Sequence, residues 1–449
     1  MNQEKINVLA NEPKQLKREL GWFGSTVMGL GSVIGVGIFV SLSLATEVSG
    51  SAVILALVLT GIIVACNSLN LTQLAVNHPV SGGIYEYGYK YLNPWLGFTA
   101  GWLFLLGKMA IAATAALGFA SYLLNTIGVT DRAYLIPVAE AAILIMTLVV
   151  LAGIRTSKIT TLVVLSVTLA SLFFLIVAGL IVFPENALAN LALPEIKGSN
   201  WITNQLQSIA LLFVAYNGAA RIALLSEEVV EPRKNIPKSV IITIVFTMVL
   251  YLGLAIVSLG SIGPSAFSET VRIQAAPLEV VAKSFGIPIA PTIIAIGAIT
   301  AMLSILLSTI LSLSRLILAM GRRGDMPRIL TKLNSAGSTP YWAVMVVGCT
   351  IALLVLIGNV KTTWAFGTFG ALYRCFIVSL AAFRLSAEER LYPIAITWIA
   401  LVSSVVLAFC LDWQIWLVGL GVIGIGIIWH LIAHRIYLAS DLSTMVNEE

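Results

Sequence analysis

The chain is a succession of long apolar runs separated by short polar segments. A helix rises 1.5 Å per residue, so about 20 apolar residues are enough to cross a bilayer. Twelve runs of this kind can be read, and no strand pattern accompanies them. They lie at about 22–45, 51–76, 95–124, 133–153, 160–183, 203–225, 239–261, 288–318, 341–358, 363–383, 391–410 and 413–433. The pattern predicts an all-α membrane protein with 12 transmembrane helices.

Composition supports a membrane protein and excludes several kinds of site. Of the 449 residues, 59% are hydrophobic and only 10% are charged, with a mean hydropathy of +0.98, whereas soluble domains carry about 25% charged residues. The four cysteines lie in apolar runs without a CxxC pair, and the three histidines have no ligand spacing. We therefore expect no disulfide framework, no metal site and no cofactor. The first 20 residues are charged and predict a soluble tail rather than a cleaved signal.

The distribution of basic residues predicts the orientation. With the N-terminus inside and the runs alternating, seventeen Lys and Arg residues fall in inner segments and five in outer ones. Because cytoplasmic loops are enriched in Lys and Arg, this places both termini in the cytoplasm. The topology also accounts for the net charge of +5, so no nucleic acid partner is implied.

The first apolar run contains an unusual cluster of glycines. Gly29, Gly31, Gly35 and Gly37 fall within nine positions, and each glycine costs a helix about 1 kcal/mol relative to alanine. A helix broken here would offer amide donors to an anion and carbonyl acceptors to a cation, as in transporters that bind a small zwitterion. Alternatively, the glycines allow another helix to pack closely.

The sixth run is also interrupted in its middle, by the segment 213–221 with the sequence FVAYNGAAR. Runs one and six are five apart, and because five is odd, two five-helix units would insert in opposite orientations. Interrupted helices at corresponding positions of two halves indicate a transporter binding site. This pairing favours a site over simple helix packing, and runs eleven and twelve lie outside the repeat.

Four stretches, in order, resemble the amino acid–polyamine–organocation (APC) superfamily of secondary transporters, and the resemblance covers most of the chain. They are GSVIGVGIF at 31–39, PVSGGIYEY at 79–87, AYNG at 215–218 with EEV at 227–229 and the prolines at 232 and 237, and SR followed by DMP between 314 and 327.

The resemblance implies a five-plus-five inverted-repeat (LeuT-like) fold with two extra C-terminal helices. It also implies alternating access, in which helices 1, 2, 6 and 7 rock against a scaffold. The corresponding divisions are a cytoplasmic tail at 1–20, the first repeat at 21–185, the second, inverted repeat at 200–385, helices 11 and 12 at 388–436, and a cytoplasmic tail at 437–449.

By the same resemblance, the two interrupted helices bind an amino acid. The backbone amides of Val36, Gly37 and Ile38 are expected to receive the substrate carboxylate, and the carbonyls of Val214, Ala215 and Asn217 its α-amino group. The electrostatics of helix ends support this assignment, because the N-terminal end of a helix favours an anion and the C-terminal end favours a cation. Two aromatic residues either close over the substrate or pack in the core: Phe213 and Tyr216.

The coupling ion is less well specified. Some relatives place a lysine midway along the fifth transmembrane helix, where its ammonium replaces sodium. The best-matching position in the fifth apolar run of this chain is Thr168. One interpretation is an oxygen cage for sodium. Its members would be the carbonyls of Gly31 and Ile34 and the hydroxyls of Thr168, Thr300 and Ser304. The alternative is that these hydroxyls bond to the preceding turn of their own helices.

Three of the cationic residues in the apolar runs are candidates for a functional role. Lys108 in run three is a functional candidate by default, since a charge at mid-membrane costs about 3 kcal/mol or more. In a functional role, Lys108 would be a proton carrier, a fixed cation that replaces sodium, or a partner for an acidic substrate. In a purely structural role, its side chain would snorkel to the membrane surface or pair with Glu140. Arg221 would meet an anionic substrate or brace an inner gate with Glu227 and Glu228. Arg374 has no assigned role.

The sequence therefore predicts a secondary active amino acid transporter in the plasma membrane. No GxxxxGK[ST] loop for ATP is present, so the energy would come from an ion gradient, with a proton favoured over sodium, or from exchange. One alternative is a polyamine or organic-cation transporter. Another is a channel, or a sensor that resembles a transporter but binds its ligand without moving it. A membrane enzyme is disfavoured, because the runs hold no catalytic constellation. The transported amino acid and the oligomeric state stay open.

Overall fold

The protein is described here from a computed structural model. It describes residues 18, 20–78, 84–129, 131–153, 158–192, 200–224, 226, 228–273, 276–334 and 339–446. In chain order, the α-helices are α1 (Trp22–Val33), α2 (Val36–Ser49), α3 (Val53–Asn77), α4 (Ile84–Tyr91), α5 (Pro94–Thr126), α6 (Leu135–Leu151), α7 (Lys158–Ile181), α8 (Ala187–Leu191), α9 (Trp201–Tyr216), α10 (Ala220–Leu224), α11 (Pro232–Ile273), α12 (Pro277–Ser284), α13 (Ala290–Arg322), α14 (Tyr341–Val355), α15 (Val360–Phe383), α16 (Ile394–Phe409) and α17 (Trp413–Val446).

The helices follow the apolar runs closely. The first run is divided between α1 and α2, and the sixth between α9 and α10, so both predicted interruptions are present. Over the described residues, nine helical stretches are long and apolar enough to span a membrane, with α2 and α3 counted as one; α14 and α16 are apolar but shorter. The chain is thus an all-helical membrane protein, while the count of 12 spans and the inverted repeat stay predictions.

Burial separates central helices from peripheral ones. In their most apolar windows, α5 is 78% buried and α15 is 72% buried, whereas α6 is 28% buried and α17 is 22% buried. The peripheral helices expose large apolar side chains such as Leu148 and Val418. Apolar surface on this scale indicates contact with lipid. The protein interior is therefore built around α2, α5, α9 and α15.

Small residues allow the central helices to approach closely. A Cβ atom added to Gly107 of α5 would lie 3.2 Å from Gly370 Cα of α15. Close approach through small residues is the usual way in which membrane helices gain van der Waals contact. Asparagine caps fix where both helices begin: Asn93 accepts from the Leu96 amide at 2.8 Å and Asn359 accepts from the Thr362 amide at 3.1 Å.

Long-range contacts define two faces of the bundle. On the face where α1 begins, called the N-terminal face, the Leu20 amide donates to the Glu228 carbonyl at 3.0 Å. On the opposite face, where α2 ends, the hydroxyls of Ser49 and Ser208 lie 2.9 Å apart. The interruptions between α1 and α2 and between α9 and α10 lie between these faces, in the middle of the bundle.

Candidate functional site

The first helix break consists of two extended residues. Ile34 has φ −79° and ψ 92°, and Gly35 has φ −159° and ψ −145°. Helix α2 begins at Val36, so its first amides, including those of Gly37 and Ile38, have no partner within the helix. All three residues are buried. The predicted carboxylate-binding amides thus form the positive end of a helix inside the protein.

Two glycines of this break are in close contact with other helices. An added Cβ at Gly35 would overlap the side chain of Ile305 from α13. At Gly37 it would lie 2.8 Å from Ala215 Cα and 3.4 Å from the Trp364 ring. The glycines therefore serve both of the predicted purposes, because they interrupt the helix and allow other helices to pack against the interruption.

The second break is shorter than the interruption at 213–221 that the sequence predicted. One 3-10 turn, Asn217–Ala219, joins α9 to α10. The Asn217 amide donates to the Val214 carbonyl, and the Ala220 amide donates to the Asn217 carbonyl. The predicted acceptors Val214 and Asn217 thus each have one backbone partner already. A carbonyl has two lone pairs, so both retain the capacity to accept a second donor.

The two breaks lie directly against each other. A Cβ atom added to Gly218 would overlap the backbone of Ser32 and Val33. Tyr251 of α11 connects the same segments, because its hydroxyl lies 3.0 Å from the Ala215 carbonyl and 3.3 Å from the Val33 carbonyl. Sequence reasoning did not select Tyr251. The available signal was a phenol in an apolar run, since a buried tyrosine hydroxyl usually has a partner.

Phe213 and Tyr216 are both fully buried. The Tyr216 hydroxyl donates to the Leu57 carbonyl at 3.3 Å, and its ring packs edge-on against Tyr251 with 5.0 Å between centroids. These contacts are those of aromatic packing, the second of the two roles considered for this pair. Val214 and Asn217 are only partly buried and are the more accessible members of the predicted site.

The three cationic residues are brought together around Asn217. Arg374 donates from a guanidinium nitrogen to the Asn217 side-chain oxygen, and it lies 5.8 Å from the ring of Phe104. Lys108 is one helical turn from Phe104 on α5, and Arg221 is four residues beyond Asn217. Arg374 and Arg221 are two cations that lie near Lys108. The sequence identified each cation separately but not this cluster.

No ion pair satisfies these cations within the part of the chain that is described. Lys108 does not pair with Glu140, the partner considered for it, and one Glu140 oxygen is itself buried without a hydrogen bond. Arg374 is 5% exposed, and its Nε atom has no hydrogen-bond partner. Glu227, the predicted gate partner of Arg221, lies outside the described residues.

The hydroxyls proposed for a sodium site are bonded within the helices. Thr168 donates to the Val164 carbonyl at 2.8 Å, and Thr300 donates to the Ile296 carbonyl at 2.8 Å. Both also approach the Gly297 carbonyl, at 3.4 Å and 3.1 Å. This geometry matches bonding to the preceding turn. Ser304 and Gly31 are partly buried, and Ile34 is 4% exposed.

A second polar cluster, which the sequence did not reveal, lies at the N-terminal face around Asp325. The hydroxyls of Tyr85 and Tyr89 both donate to its Oδ2 atom, and His430 Nδ1 lies 3.1 Å from Oδ1. Burial, followed by the interaction with Asp325, raises the pKa of Tyr85 and Tyr89 above the ordinary value of 10.0. The cluster joins α4 and α17 to the segment after α13.

Accessibility differs between the two halves of the broken first helix. Every residue from Val33 to Thr46 is buried, whereas Val27, Met28 and Ser32 are partly exposed. The segment that follows the break is thus more deeply buried than the segment that precedes it.

Comparison with known proteins gives the same assignment over almost the whole chain. The sequence model of the amino acid permease family matches residues 24–408. A Mycobacterium tuberculosis protein described as an uncharacterized transporter is 33% identical over 419 residues, covering 92% of this chain and 91% of its own. Branched-chain amino acid permease BcaP of Bacillus subtilis is 26% identical, covering 89% and 88% of the two chains.

The names of other relatives give different substrates for those proteins. A methylthioribose transporter of Bacillus subtilis is 26% identical and covers 80% of each chain. The relatives and the matching family are transporters rather than enzymes. The chain is therefore a multi-pass membrane transporter that belongs to the amino acid permease family of the APC superfamily.

Proposed function

We propose that the protein is a secondary active transporter that moves amino acids across the plasma membrane, with both termini in the cytoplasm. The observation that carries this proposal is the contact between the two helix breaks. The amides of Val36, Gly37 and Ile38 begin a buried helix, and Gly37 lies against Ala215 near the end of α9. An amide-rich end and a carbonyl-rich end meet, which suits the carboxylate and ammonium of one amino acid.

Transport would proceed by alternating access. Residues on the N-terminal side of the break, such as Ser32, are partly exposed, whereas those from Val33 to Thr46 are buried. Tyr251 holds α1 and α9 together through their carbonyls, so the two broken helices would move as one unit. Substrate leaves or enters on the N-terminal side in this conformation, and the opposite face opens in the other.

Coupling to a proton is favoured over coupling to sodium. The Thr168 and Thr300 hydroxyls are bonded to their own helices, which leaves Ser304 and the carbonyls of Gly31 and Ile34 as the remaining members of the sodium cage. Lys108, by contrast, is an ionisable group inside the bundle without a described carboxylate partner, as expected of a proton carrier. Arg221 and Glu227 remain the proposed inner gate. The alternative to ion coupling is transport by exchange of one amino acid for another.

A polyamine or organic-cation substrate is disfavoured, because Lys108, Arg221 and Arg374 would repel it. A sensor that binds an amino acid without transporting it would use the same site, so only an experiment distinguishes it from a transporter. In proteoliposomes, a panel of labelled amino acids is tested for uptake with proton and sodium gradients imposed separately, and for counterflow with internal substrate. We expect saturable uptake or counterflow of at least one amino acid. Binding without either would establish the sensor, and neither binding nor transport would contradict the proposal.

A further inference from the structure

The interior of the bundle has three cationic side chains on one side of the helix breaks. Arg374 contacts Asn217 directly, and Phe104 connects it to the turn of α5 that carries Lys108. The same two helices are in close contact one turn away, at Gly107 and Gly370.

The cluster adjoins the proposed amino acid site rather than forming a separate one. Helix α15 passes along both, since the Trp364 ring contacts Gly37 and the Arg374 guanidinium contacts Asn217. Asn217 and Gly218 are consecutive, and Gly218 lies against Ser32 at the end of α1. The cluster therefore faces the end of the site that is nearer the N-terminal face.

The charges are uncompensated by any acid that the structure describes nearby. Three acidic side chains elsewhere in the bundle have partners of their own: Glu47 lies 3.2 Å from Lys361, Glu86 lies 2.7 Å from Arg323, and Asp325 binds its tyrosines. Uncompensated charge inside a membrane protein is costly and usually marks the path of an ion or substrate. The buried Nε atom of Arg374 has an unused donor as well.

Two of the three cations, Lys108 and Arg221, are only partly buried. Lys108 is partly exposed in the middle of α5, although both of its sequence neighbours are buried, and Arg221 and Asn217 are partly exposed too. Guanidinium and ammonium groups that lie near one another are suited to a carboxylate, which accepts several charge-assisted hydrogen bonds.

We infer that the transported amino acid carries a second carboxylate, and that Lys108, Arg221 and Arg374 bind it. The substrate class is thus the acidic amino acids, such as glutamate and aspartate. This inference rests on the proposed function: the helix breaks would hold the α-carboxylate and α-amino group, and the cation cluster would hold the acidic side chain. It departs from the substrates that the names of the relatives give for those proteins.

The test compares isosteric substrates that differ in one charge. Proteoliposomes containing the full chain are offered labelled L-glutamate against L-glutamine, and L-aspartate against L-asparagine. We expect the acidic member of at least one pair to be preferred about tenfold or more, as for recognition through charge-assisted hydrogen bonds. A preference for the neutral member, or none, would overturn the inference and leave the proposed function standing. No uptake or counterflow of any amino acid would overturn both.

Variants then test whether the cluster provides the preference. Lys108→Met and Arg221→Met keep much of the side-chain length without the charge, and we expect each to reduce the acidic-to-neutral ratio about tenfold. Lys234→Met is the matched control, because Lys234 is 80% exposed at the protein surface. Lys108→Arg restores a positive charge and is expected to retain the preference. An unchanged ratio in both Met variants would refute the assignment, and size-exclusion profiles in detergent verify that each variant folds.

Discussion

The Tyr251 hydroxyl donates a hydrogen bond to the Ala215 carbonyl, 3.0 Å away, at the point where the two broken helices meet. This carbonyl is also a proposed acceptor for the substrate ammonium. Because a carbonyl oxygen accepts two hydrogen bonds, Tyr251 and a substrate can share it. The phenol therefore positions the carbonyl and holds the break in shape when substrate is absent.

Removal of this hydroxyl gives the first prediction. Tyr251→Phe loses one buried hydrogen bond, whose net value is about 1 kcal/mol, equivalent to about fivefold in an equilibrium constant. We expect uptake at low substrate concentration to fall about fivefold. Tyr134→Phe is the control, since Tyr134 is 55% exposed and remote from the break. Equal uptake by the two variants would show that Tyr251 has no positioning role.

The contact between Gly218 and the backbone of Ser32 gives the second prediction. An alanine methyl at position 218 has no space, and backbone cannot move aside as a flexible side chain can. Overpacking of this kind costs about 1–3 kcal/mol. We expect Gly218→Ala to lower the melting temperature in detergent and to reduce uptake about tenfold. Gly37→Ala, which meets Ala215, should behave in the same way.

The matched control is Gly424→Ala in α17. Nothing lies within 4 Å of a Cβ atom added there, and alanine is the better helix former by about 1 kcal/mol. We expect this variant to transport normally with equal or higher thermal stability. If all three variants behaved alike, the close approach of the breaks would not be important for transport.

The sequence predicted those features of the fold that have local signals. Glycine clusters and a polar interruption placed both helix breaks, and the apolar runs placed most helices within a few residues, although α11 and α17 extend well beyond theirs. Contacts between distant segments have no such signal. The Arg374–Asn217 bond joins residues 157 positions apart, so Arg374 was recognised as an unusual charge without a role. The same reason explains why Tyr251 and the Asp325 cluster were missed.

The Asp325 cluster predicts a pH dependence of stability at the alkaline end. The pKa of Tyr85 in the folded protein lies above the ordinary value of 10.0, chiefly because the phenol is buried and bonded to Asp325. Above about pH 10, the unfolded chain releases the phenolic proton and the folded protein retains it. The unfolded state then binds fewer protons, so stability falls as pH rises. Below pH 10 this contribution is fully present.

Thermal unfolding in detergent between pH 7 and pH 11 measures this effect. We expect a steeper alkaline loss of stability in the wild type than in Tyr85→Phe, which has no phenol to ionise. The variant should be less stable at pH 7, because Asp325 loses one donor. Tyr134→Phe controls for the ionisation of exposed tyrosines. Parallel curves for wild type and Tyr85→Phe would show that the Tyr85–Asp325 bond does not contribute to alkaline stability.

The last prediction concerns the hydroxyls that the sequence offered for a sodium site. Thr168 and Thr300 donate to carbonyls of their own helices at 2.8 Å, and such bonds contribute little to function on their own. We expect Thr168→Val and Thr300→Val to retain uptake within about twofold, with no dependence on a sodium gradient. Thr350→Val is the control, since Thr350 of α14 makes the same bond to Val346 at 2.8 Å. Sodium-driven uptake that is lost in Thr168→Val but retained in Thr350→Val would restore the oxygen cage as the coupling site, with Thr168 among its ligands beside Gly31, Ile34, Thr300 and Ser304.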